Sequence, residues 1–319
     1  MGQNSAKRYL SEGASGVSID LSGKVAIVTG AGGGLGRAHA LALAARGARV
    51  VVNDIGSSVA GAGGSDDAAL AVVAEIEAAG GAAMANSASV TDYDQVEAMV
   101  AAVLARWERV DILVCNAGIL RDKTFAKMDL ADFSTVLDVH IMGAVNCAKA
   151  VWPNMRAQNH GRIIFTTSCS GLYGSFGQSN YSTAKMALVG LMNTLALEGA
   201  KNDIRVNCLA PVAATRMVAG LMPEDELAAL DPALVSPAIV ALAAEAAPTK
   251  TVLCAGAGSF EIAQVTLTQG VYLGAGGAVA EQILARLDEI SDAQGQIIPQ
   301  DGAAQGAHEL AAAQAKAAK

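Results

Sequence analysis

The chain has 319 residues, of which 52% are hydrophobic and 16% charged, so it is not globally disordered. Lys and Arg number 22 against 30 for Asp and Glu, and the net charge of −8 leaves no basic stripe for a nucleic acid. A charge-free stretch at 262–280 is broken by glycines and polar side chains, which is untypical of a membrane-spanning helix.

Short apolar segments alternate with longer alanine-rich segments along most of the chain. The short ones are often β-branched, as strands buried on both faces are. The pattern predicts strands at 25–29, 48–53, 82–86, 112–115, 162–167, 205–209 and 251–254. It predicts helices at 35–46, 67–79, 93–107, 132–158, 181–199 and 237–246. We therefore expect an α/β fold in which a seven-stranded parallel sheet carries helices on both faces.

Both ends of the chain fall outside this alternation. Residues 1–20 are mostly polar or small and are predicted to be a flexible arm before a single α/β domain at 21–258. A C-terminal extension, residues 259–319, begins with strand-like alternation at 261–272 and then becomes helix-like at 278–290. We expect its Ala-, Gln- and Lys-rich tail to be disordered or to pack on a neighbouring subunit.

A glycine-rich turn follows the first predicted strand. Glycines let the backbone approach a ligand closely, and a helix N-terminus offers free N–H groups to phosphate. A plain turn is the alternative, but the position between strand and helix favours a dinucleotide pyrophosphate site. The candidate residues are Thr29, Gly30, Gly34, Leu35 and Gly36.

A carboxylate follows the second predicted strand. Asp54, eighteen residues after Gly36, can accept hydrogen bonds from both adenosine ribose hydroxyls and would repel a 2′-phosphate. Arg37 is the nearby cation in the turn, and no Arg follows Asp54 directly, so the pattern favours NAD over NADP. In the alternative, Asp54 only caps the loop at Gly56.

Small residues end the fourth predicted strand. Asn116, Ala117 and Gly118 leave room for a cofactor that lies across the strand ends, although a plain turn is the alternative interpretation.

Tyr181 and Lys185 stand four residues apart and share one face of a predicted helix, and Ser168 precedes the tyrosine by thirteen residues. Transfer of a hydride from a secondary alcohol to NAD needs a base for the hydroxyl proton. Lowering a tyrosine pKa by roughly three units takes about 4 kcal/mol, and a lysine ammonium with a positive nicotinamide has the right sign of charge. Ser168 would hold the substrate oxygen. Each motif is common by chance, and their joint occurrence favours the catalytic interpretation.

These motifs, with residues 207–211, are similar to those of the short-chain dehydrogenase/reductase family over about 21–258. The resemblance implies a doubly wound Rossmann fold and a Ser–Tyr–Lys active site. It implies that Pro211 and Thr215 belong to the cofactor site, with Thr215 touching the nicotinamide carboxamide. It also implies a homodimer or homotetramer formed through the helices near 132–158 and 181–199.

The chain departs from the family pattern at three positions. His140 replaces an Asn that supports a proton-relay water. A histidine can also bind a water, while a packed helix histidine is the alternative. Ala88 or Ser89 stands where an Asp usually contacts adenine, and Ser89 is the candidate. Val212 replaces a glycine.

Residues 52–56, 117–123 and 170–178 carry a narrower resemblance, to (3R)-hydroxyacyl-CoA and 17β-hydroxysteroid dehydrogenases. We therefore expect NAD-dependent oxidation of a 3-hydroxyacyl-CoA to the 3-ketoacyl-CoA, with Tyr181 as base. Oxidation of a steroid ring alcohol is the second interpretation, and a non-catalytic NAD-binding sensor or scaffold is the third. No metal is implied.

The substrate candidates lie in three segments. Tyr173, Phe176 and Gln178 are predicted to wall the pocket, and residues 217–230, beginning with Met217, to form an apolar lid. A basic group, Arg121, Lys123 and Lys127, is suited to a CoA diphosphate, with ordinary solvated charges as the alternative.

The five cysteines are scattered without a Cys-x-x-Cys pair, so neither a zinc site nor a disulfide framework is indicated. Reduced thiols favour a cytoplasmic location. The first eleven residues lack an apolar signal core, Ala6 breaks the myristoylation pattern, and the chain does not end in Ser-Lys-Leu.

Overall fold

The structure is a computed structural model that describes residues 18–58, 60–61, 63–214 and 229–317. It divides into two compact units, one ending at Ile262 and one beginning at Ala263. Most of the predicted flexible arm, the candidates Thr215 and Met217, and residues 217–228 of the predicted lid lie outside the described residues.

The first unit is built on an eight-stranded sheet in the order β3–β2–β1–β4–β5–β6–β7–β8. Strands β1 to β7 pair in parallel, which confirms the predicted parallel α/β architecture. The chain runs outward from β1 to β3 and returns to β4 on the other side of β1. This reversal opens a crevice at the carboxyl ends of β1 and β4. The strands are β1 Val25–Thr29, β2 Arg49–Asn53, β3 Ala82–Asn86, β4 Ile112–Cys115, β5 Gly161–Thr166, β6 Ile204–Val212, β7 Val252–Gly256 and β8 Ser259–Ala263.

The eighth strand corrects the prediction of seven. Only Ala257 and Gly258 separate β7 from β8, and both have positive φ, at 49° and 79°. Two residues with this backbone form a hairpin turn, whereas parallel neighbours need a long crossover. We infer that β8 is an antiparallel edge strand. The strand-like segment expected at 261–272 is therefore a shorter strand that begins at Ser259 and ends at Ala263.

Helices cover both faces of the sheet. α1 packs against α2 and α8 on one face, and α5 packs against α3 on the other. Successive side chains of β1 point to opposite faces of the sheet. Ala26 and Val28 belong to the core cluster under α1, and the intervening Ile27 does not. The helices of this unit are α1 Gly34–Ala44, α2 Asp67–Ala78, α3 Tyr93–Trp107, α4 Leu130–Leu137, α5 Gly143–Gln158, α6 Cys169–Tyr173, α7 Ser179–Gly199 and α8 Ser236–Ala243.

The helix predicted at 132–158 is interrupted. A π-helical turn, Asp138–Met142, separates α4 from α5 and carries His140 on its buried side. Such turns often lie at functional sites, because the extra residue redirects a side chain.

The second unit has its own tertiary contacts. Leu267 and Ile297 form an isolated antiparallel bridge, and the Thr268 hydroxyl donates to the Ile290 carbonyl at 2.7 Å. Its helices are α9 Val279–Ala285, α10 Leu287–Ile290 and α11 Ala303–Ala317. Among the described residues of either unit, no helix is both long enough and apolar enough to cross a membrane.

Candidate active site

A cavity of about 970 Å³ opens where β1, β2, β4 and β5 end. Its walls combine the glycine turn, the loop after Asp54, the loop after β4 and the first turns of α7. The sheet reversal thus brings into one crevice segments that are far apart in the sequence.

The glycine turn is held by close backbone contacts. Gly30 has φ +62°, and a Cβ on it would lie 2.8 Å from the Ala117 Cα. A Cβ on Gly36 would overlap the Gly30 carbonyl. The amide of Asn116 donates to the carbonyls of Thr29 and Gly30 at 3.0 Å each. Both positions therefore require glycine, and Asn116 fastens the turn to β4.

The N-terminus of α1 faces the cavity. Its N-cap residue, Gly33, provides no side-chain hydrogen bond to the first helical N–H groups. Gly34, Leu35 and Gly36 line the cavity at this point. Uncapped N–H groups and the positive end of an eleven-residue helix fit a pyrophosphate. Thr29 itself is buried, and its hydroxyl accepts from the Asn116 N–H at 3.0 Å.

Asp54 caps the loop at Gly56, which was the alternative interpretation, and it also borders the cavity. One carboxylate oxygen accepts from the Gly32 N–H and the other from the Gly56 N–H, each at 2.7 Å. The carboxylate therefore caps the loop, holds the glycine turn and also lines the cavity. Arg37 is paired with Glu75, its Nε donating at 2.9 Å, so its charge is already balanced.

Ser89 lies where the adenine end of a dinucleotide would be expected. It lines the cavity beside Val90, and its hydroxyl is 2.9 Å from that of Thr91. Ala117 and Gly118 also line the cavity, as do Pro211 and Val212 at the opposite end.

Ser168, Tyr181 and Lys185 lie together at the end of β5. The Ser168 hydroxyl accepts from the Ser170 N–H at 3.2 Å, and both Ser168 and Tyr181 line the cavity. Lys185 is 3% exposed, and its Nζ lies 5.4 Å from the Tyr181 ring centroid. That ammonium donates to the Thr166 carbonyl at 2.6 Å. The structure thus brings together the three groups whose chemistry the sequence indicated.

Burial dominates the titration of this pair. It raises the pKa of Tyr181 to about 12, against a smaller lowering by the nearby Ser168 side chain. It lowers the pKa of Lys185 to about 7. The neighbouring lysine alone therefore does not lower the pKa of the tyrosine, whereas the sequence argument expected the lysine and a positive nicotinamide to lower it together. At this separation, the free-energy cost of removing both charged groups from water exceeds the favourable interaction between their opposite charges.

His140 lies beside the tyrosine. The two rings meet edge to face with centroids 5.3 Å apart. The His140 Nε2 is 2.9 Å from the Ile119 carbonyl, while Nδ1 is buried without a hydrogen-bond partner among the described residues. Burial, followed by the charge of Lys185, lowers the pKa of His140 well below its usual value. The imidazole is neutral. Its Nε2 is also 3.2 Å from the Ile119 N–H, so Nδ1 accepts a hydrogen bond only in the tautomer that carries its proton on Nε2.

Of the three predicted pocket-wall residues, one lines the cavity formed by the described residues and two do not. Gln178 lines the cavity, but its amide is committed to Asp122 and Ser170 at 2.6 and 2.9 Å. Tyr173 and Phe176 are 74% and 93% exposed and do not line the cavity formed by the described residues. The chain turns away from the cavity after α6, where Gly174 has φ +82°.

The predicted basic group is offset by acids. Arg121 pairs with Asp132, and Lys123 pairs with Asp129 and Asp132. Lys127 is exposed at the end of a short 3₁₀ turn. The positive charge expected for a CoA diphosphate is therefore largely balanced within the chain.

Asn180 is a site residue that the sequence argument missed. It is fully buried, its Oδ1 accepts from the Tyr181 N–H at 2.8 Å, and its Nδ2 donates to the Arg121 carbonyl at 3.0 Å. An amide next to the tyrosine in the first turn of a helix was the available signal. Its partner, 59 residues away, was not predictable from that spacing.

The chain matches a family profile and several known proteins. The profile described as short chain dehydrogenase matches residues 24–226. The chain is 48% identical over 230 residues to peroxisomal multifunctional enzyme type 2 of Mus musculus, covering 71% of this chain and 30% of that enzyme. It is 44% identical over 273 residues to a putative short-chain type dehydrogenase/reductase of Mycobacterium tuberculosis, covering 85% and 95% of the two chains.

The fold is similar to that of full-length peroxisomal multifunctional enzyme type 2 from Drosophila melanogaster. The TM-score is 0.76 at 34% sequence identity, covering 93% of this chain and 50% of that one. The chain therefore spans half or less of the multifunctional relatives compared here. These matches confirm the resemblance to their (3R)-hydroxyacyl-CoA dehydrogenase part. The protein belongs to the short-chain dehydrogenase/reductase family, whose members generally bind NAD or NADP, and it is an oxidoreductase acting on CH–OH groups.

Proposed function

We propose that this protein oxidises the secondary alcohol of a 3-hydroxyacyl-CoA to the 3-ketoacyl-CoA, using NAD and Tyr181 as the base. The observation that carries the proposal is that Ser168, Tyr181 and Lys185 line the same cavity as the uncapped N-terminus of α1. One end of the cavity fits a pyrophosphate, and the other presents the groups that an alcohol oxidation needs.

NAD rather than NADP is favoured by charge. The Asp54 carboxylate lies at the end of β2, where the adenosine ribose of a dinucleotide is expected. A 2′-phosphate there would meet a like charge. Arg37, which could offset it, is engaged by Glu75.

Each of the four side chains has a separate role in the reaction. Ser168 holds the alcohol oxygen, and the Tyr181 phenolate takes its proton as the carbon–hydrogen bond breaks. NAD, when bound, supplies the acceptor for the departing hydride. Lys185 keeps a positive charge near the phenolate, and the Nδ1 of His140, whose ring contacts that of Tyr181, accepts a hydrogen bond in the tautomer protonated on Nε2. In the reverse direction Tyr181 returns the proton to the ketone oxygen.

The narrower sequence resemblance favours an acyl-CoA substrate. Peroxisomal multifunctional enzyme type 2 matches 71% of this chain, and the matched part is its dehydrogenase. A steroid ring alcohol stays the second candidate, because the apolar cavity wall formed by Ile119, Leu120 and Val139 does not distinguish an acyl chain from a steroid.

We also propose that the protein is a homo-oligomer paired through α7. This helix presents Met186 and Leu197, which are 40% and 53% exposed, on a face that is otherwise made of small residues. Burial of such a face in a second copy would remove apolar surface from water.

A substrate panel tests the function. NADH formation is followed with (3R)- and (3S)-hydroxyacyl-CoAs and with 17β-hydroxysteroids, for the wild type and for Tyr181→Phe. We expect turnover of a hydroxyacyl-CoA that is lost in the variant. Turnover of steroids with inert thioesters would contradict the substrate assignment. Tight NADH binding without turnover of any alcohol would instead indicate a sensor or scaffold.

A further inference from the structure

The loop after Asp54 closes upon itself at its base. This β2 loop, residues 56–65, is described except at positions 59 and 62. The Ser65 N–H donates to the Ile55 carbonyl at 3.1 Å. Gly56 has φ +68°, and a Cβ on it would overlap the backbone of Ser65. The base is therefore fixed, and Ser57, with other residues of the loop, lines the cavity.

The far side of the β2 loop meets the β4 loop, residues 116–124. The Arg121 side chain donates through Nη2 and Nε to the Ala60 carbonyl, at 3.3 and 3.4 Å. A Cβ on Gly61 would lie 3.4 Å from the Ile119 side chain, so the two loops are in close contact.

This contact crosses the groove of the glycine turn. β1 lies between β2 and β4 in the sheet, so β2 and β4 are about 10 Å apart. Because the turn that follows β1 leaves the sheet between these two strands, we infer that a dinucleotide bound along that turn would lie under the β2 loop. The contact between Arg121 and Ala60 therefore joins the two sides of the expected cofactor groove.

Arg121 is held firmly enough to fix the loop. Its Nη1 donates to Asp132 in α4 at 2.8 Å. Hydrogen bonds from Arg121 and then from Lys123 lower the pKa of Asp132, which keeps that carboxylate ionised. The Arg121 main chain is fixed as well, since its carbonyl accepts from the buried Asn180. A guanidinium fork can reach Asp132 and Ala60 at once, whereas a lysine ammonium on a single stem cannot match that geometry.

We propose that Arg121 is a positioning residue for the cofactor, which holds the β2 loop over the adenosine half of the dinucleotide groove. The proposal rests on the proposed NAD-binding function, and it replaces the CoA-phosphate role that the sequence suggested for this arginine. A loop of glycine, serine and alanine is costly to order. Tying it to α4 before the dinucleotide arrives lowers that cost and slows cofactor release.

The test measures NADH binding without any substrate. NADH fluorescence titrations give Kd, and stopped-flow displacement gives the release rate, for the wild type, Arg121→Gln and Arg121→Lys. Lys123→Gln is the matched control, because Lys123 also pairs with Asp132 at 3.3 Å but makes no contact with Ala60. Hydrogen exchange of residues 56–64 in the cofactor-free protein reports the loop directly. Arg121→Lys keeps a charge beside Asp132, so it serves if Arg121→Gln folds poorly.

We expect both Arg121 variants to bind NADH about tenfold more weakly, mainly through faster release, and to exchange faster at 56–64. Lys123→Gln should stay within about twofold of the wild type. A different result would overturn the proposal. If the Arg121 variants keep the NADH affinity of the wild type but have a raised KM for a CoA thioester, and not for its N-acetylcysteamine analogue, Arg121 contacts the CoA phosphates instead. Failure of the wild type to bind NADH would overturn the proposed function itself. If the wild type binds NADH but oxidises no alcohol, a loss of NADH affinity in the Arg121 variants would still support the role of Arg121.

Discussion

The Nζ of Lys185 lies 5.4 Å from the ring centroid of Tyr181, and both side chains are largely shielded from water. Burial lowers the pKa of the lysine to about 7 and raises the pKa of the tyrosine to about 12. We predict that the two groups titrate as a pair, so that the first proton lost belongs to both. Loss of that proton yields either a neutral lysine or a phenolate beside an ammonium.

The pair therefore predicts the pH dependence of the reaction. We expect kcat/KM for alcohol oxidation to rise tenfold per pH unit below about pH 7 and to level off above it, because the base form needs one proton removed. Reduction of the ketone should show the opposite slope. In Lys185→Gln the pKa of Tyr181 alone governs, and the rise should move far towards higher pH. Lys149→Gln, on the exposed side of α5, is the control. An unmoved midpoint in Lys185→Gln would contradict the shared titration.

Tyr181→Phe tests the base itself. The ring and its contact with His140 remain, and only the hydroxyl is removed. We expect kcat to fall by roughly 10²–10⁴ with little change in NADH affinity. The comparison is made by steady-state kinetics and NADH titration on the same preparation. Retention of most of the turnover would show that another group takes the proton.

Gly118 and His140 are predicted to be coupled. A Cβ on Gly118 would overlap the Cε1 of His140, which is buried and cannot move freely. Gly118→Ala should lower the free energy of unfolding by about 1–3 kcal/mol, as overpacking does. In a His140→Ala background the same change should cost little, and a double-mutant cycle in urea measures the difference. Equal costs in both backgrounds would mean that the clash is relieved elsewhere.

Asp54→Asn is predicted to weaken the discrimination against NADP. The amide keeps the size of the side chain but removes the charge that would repel a 2′-phosphate. We expect the ratio of kcat/KM for NAD to that for NADP to fall by roughly tenfold or more. Asp67→Asn, in the first turn of α2, is the control for loss of one surface charge. An unchanged ratio would mean that cofactor choice is decided by other groups.

Buried His39 is predicted to make the fold sensitive to acid. Its ring is fully buried, Nδ1 lies 2.9 Å from the Ser236 hydroxyl, and burial lowers its pKa from 6.5 to about 3. Between these values the unfolded chain binds a proton and the folded chain does not, so stability falls as the pH drops below 6.5. From about pH 6.5 to about pH 5 the loss from this group is about 2 kcal/mol.

Urea titrations at the two pH values measure this loss. His140 and His160 also have lowered pKa values and add to the acid sensitivity, so the informative quantity is the difference between proteins. His39→Gln should lose less stability on acidification than the wild type. The same loss in both proteins would show that His39 does not contribute.

The sequence predicted the parts of the site that depend on local spacing. Tyr181 and Lys185 share a helix face because four residues make about one turn, and the glycine turn lies between β1 and α1 because only glycine tolerates those backbone contacts. The parallel sheet followed from apolar strands that alternate with helices. The edge strand β8 was expected only as strand-like alternation at 261–272 and was not counted in the sheet, because its exposed residues carry a short pattern.

The roles of Arg121 and Tyr173 show what the sequence could not provide. Arg121 was predicted to meet a CoA phosphate, and it contacts Ala60 and Asp132, which lie 61 and 11 residues away. Tyr173 was predicted to wall the pocket and is 74% exposed. The type and spacing of residues are fixed locally, so the sequence by itself determined which chemistry is present. Charge partners, burial and the resulting pKa values depend on segments that only folding brings together, and the tertiary structure alone decided them.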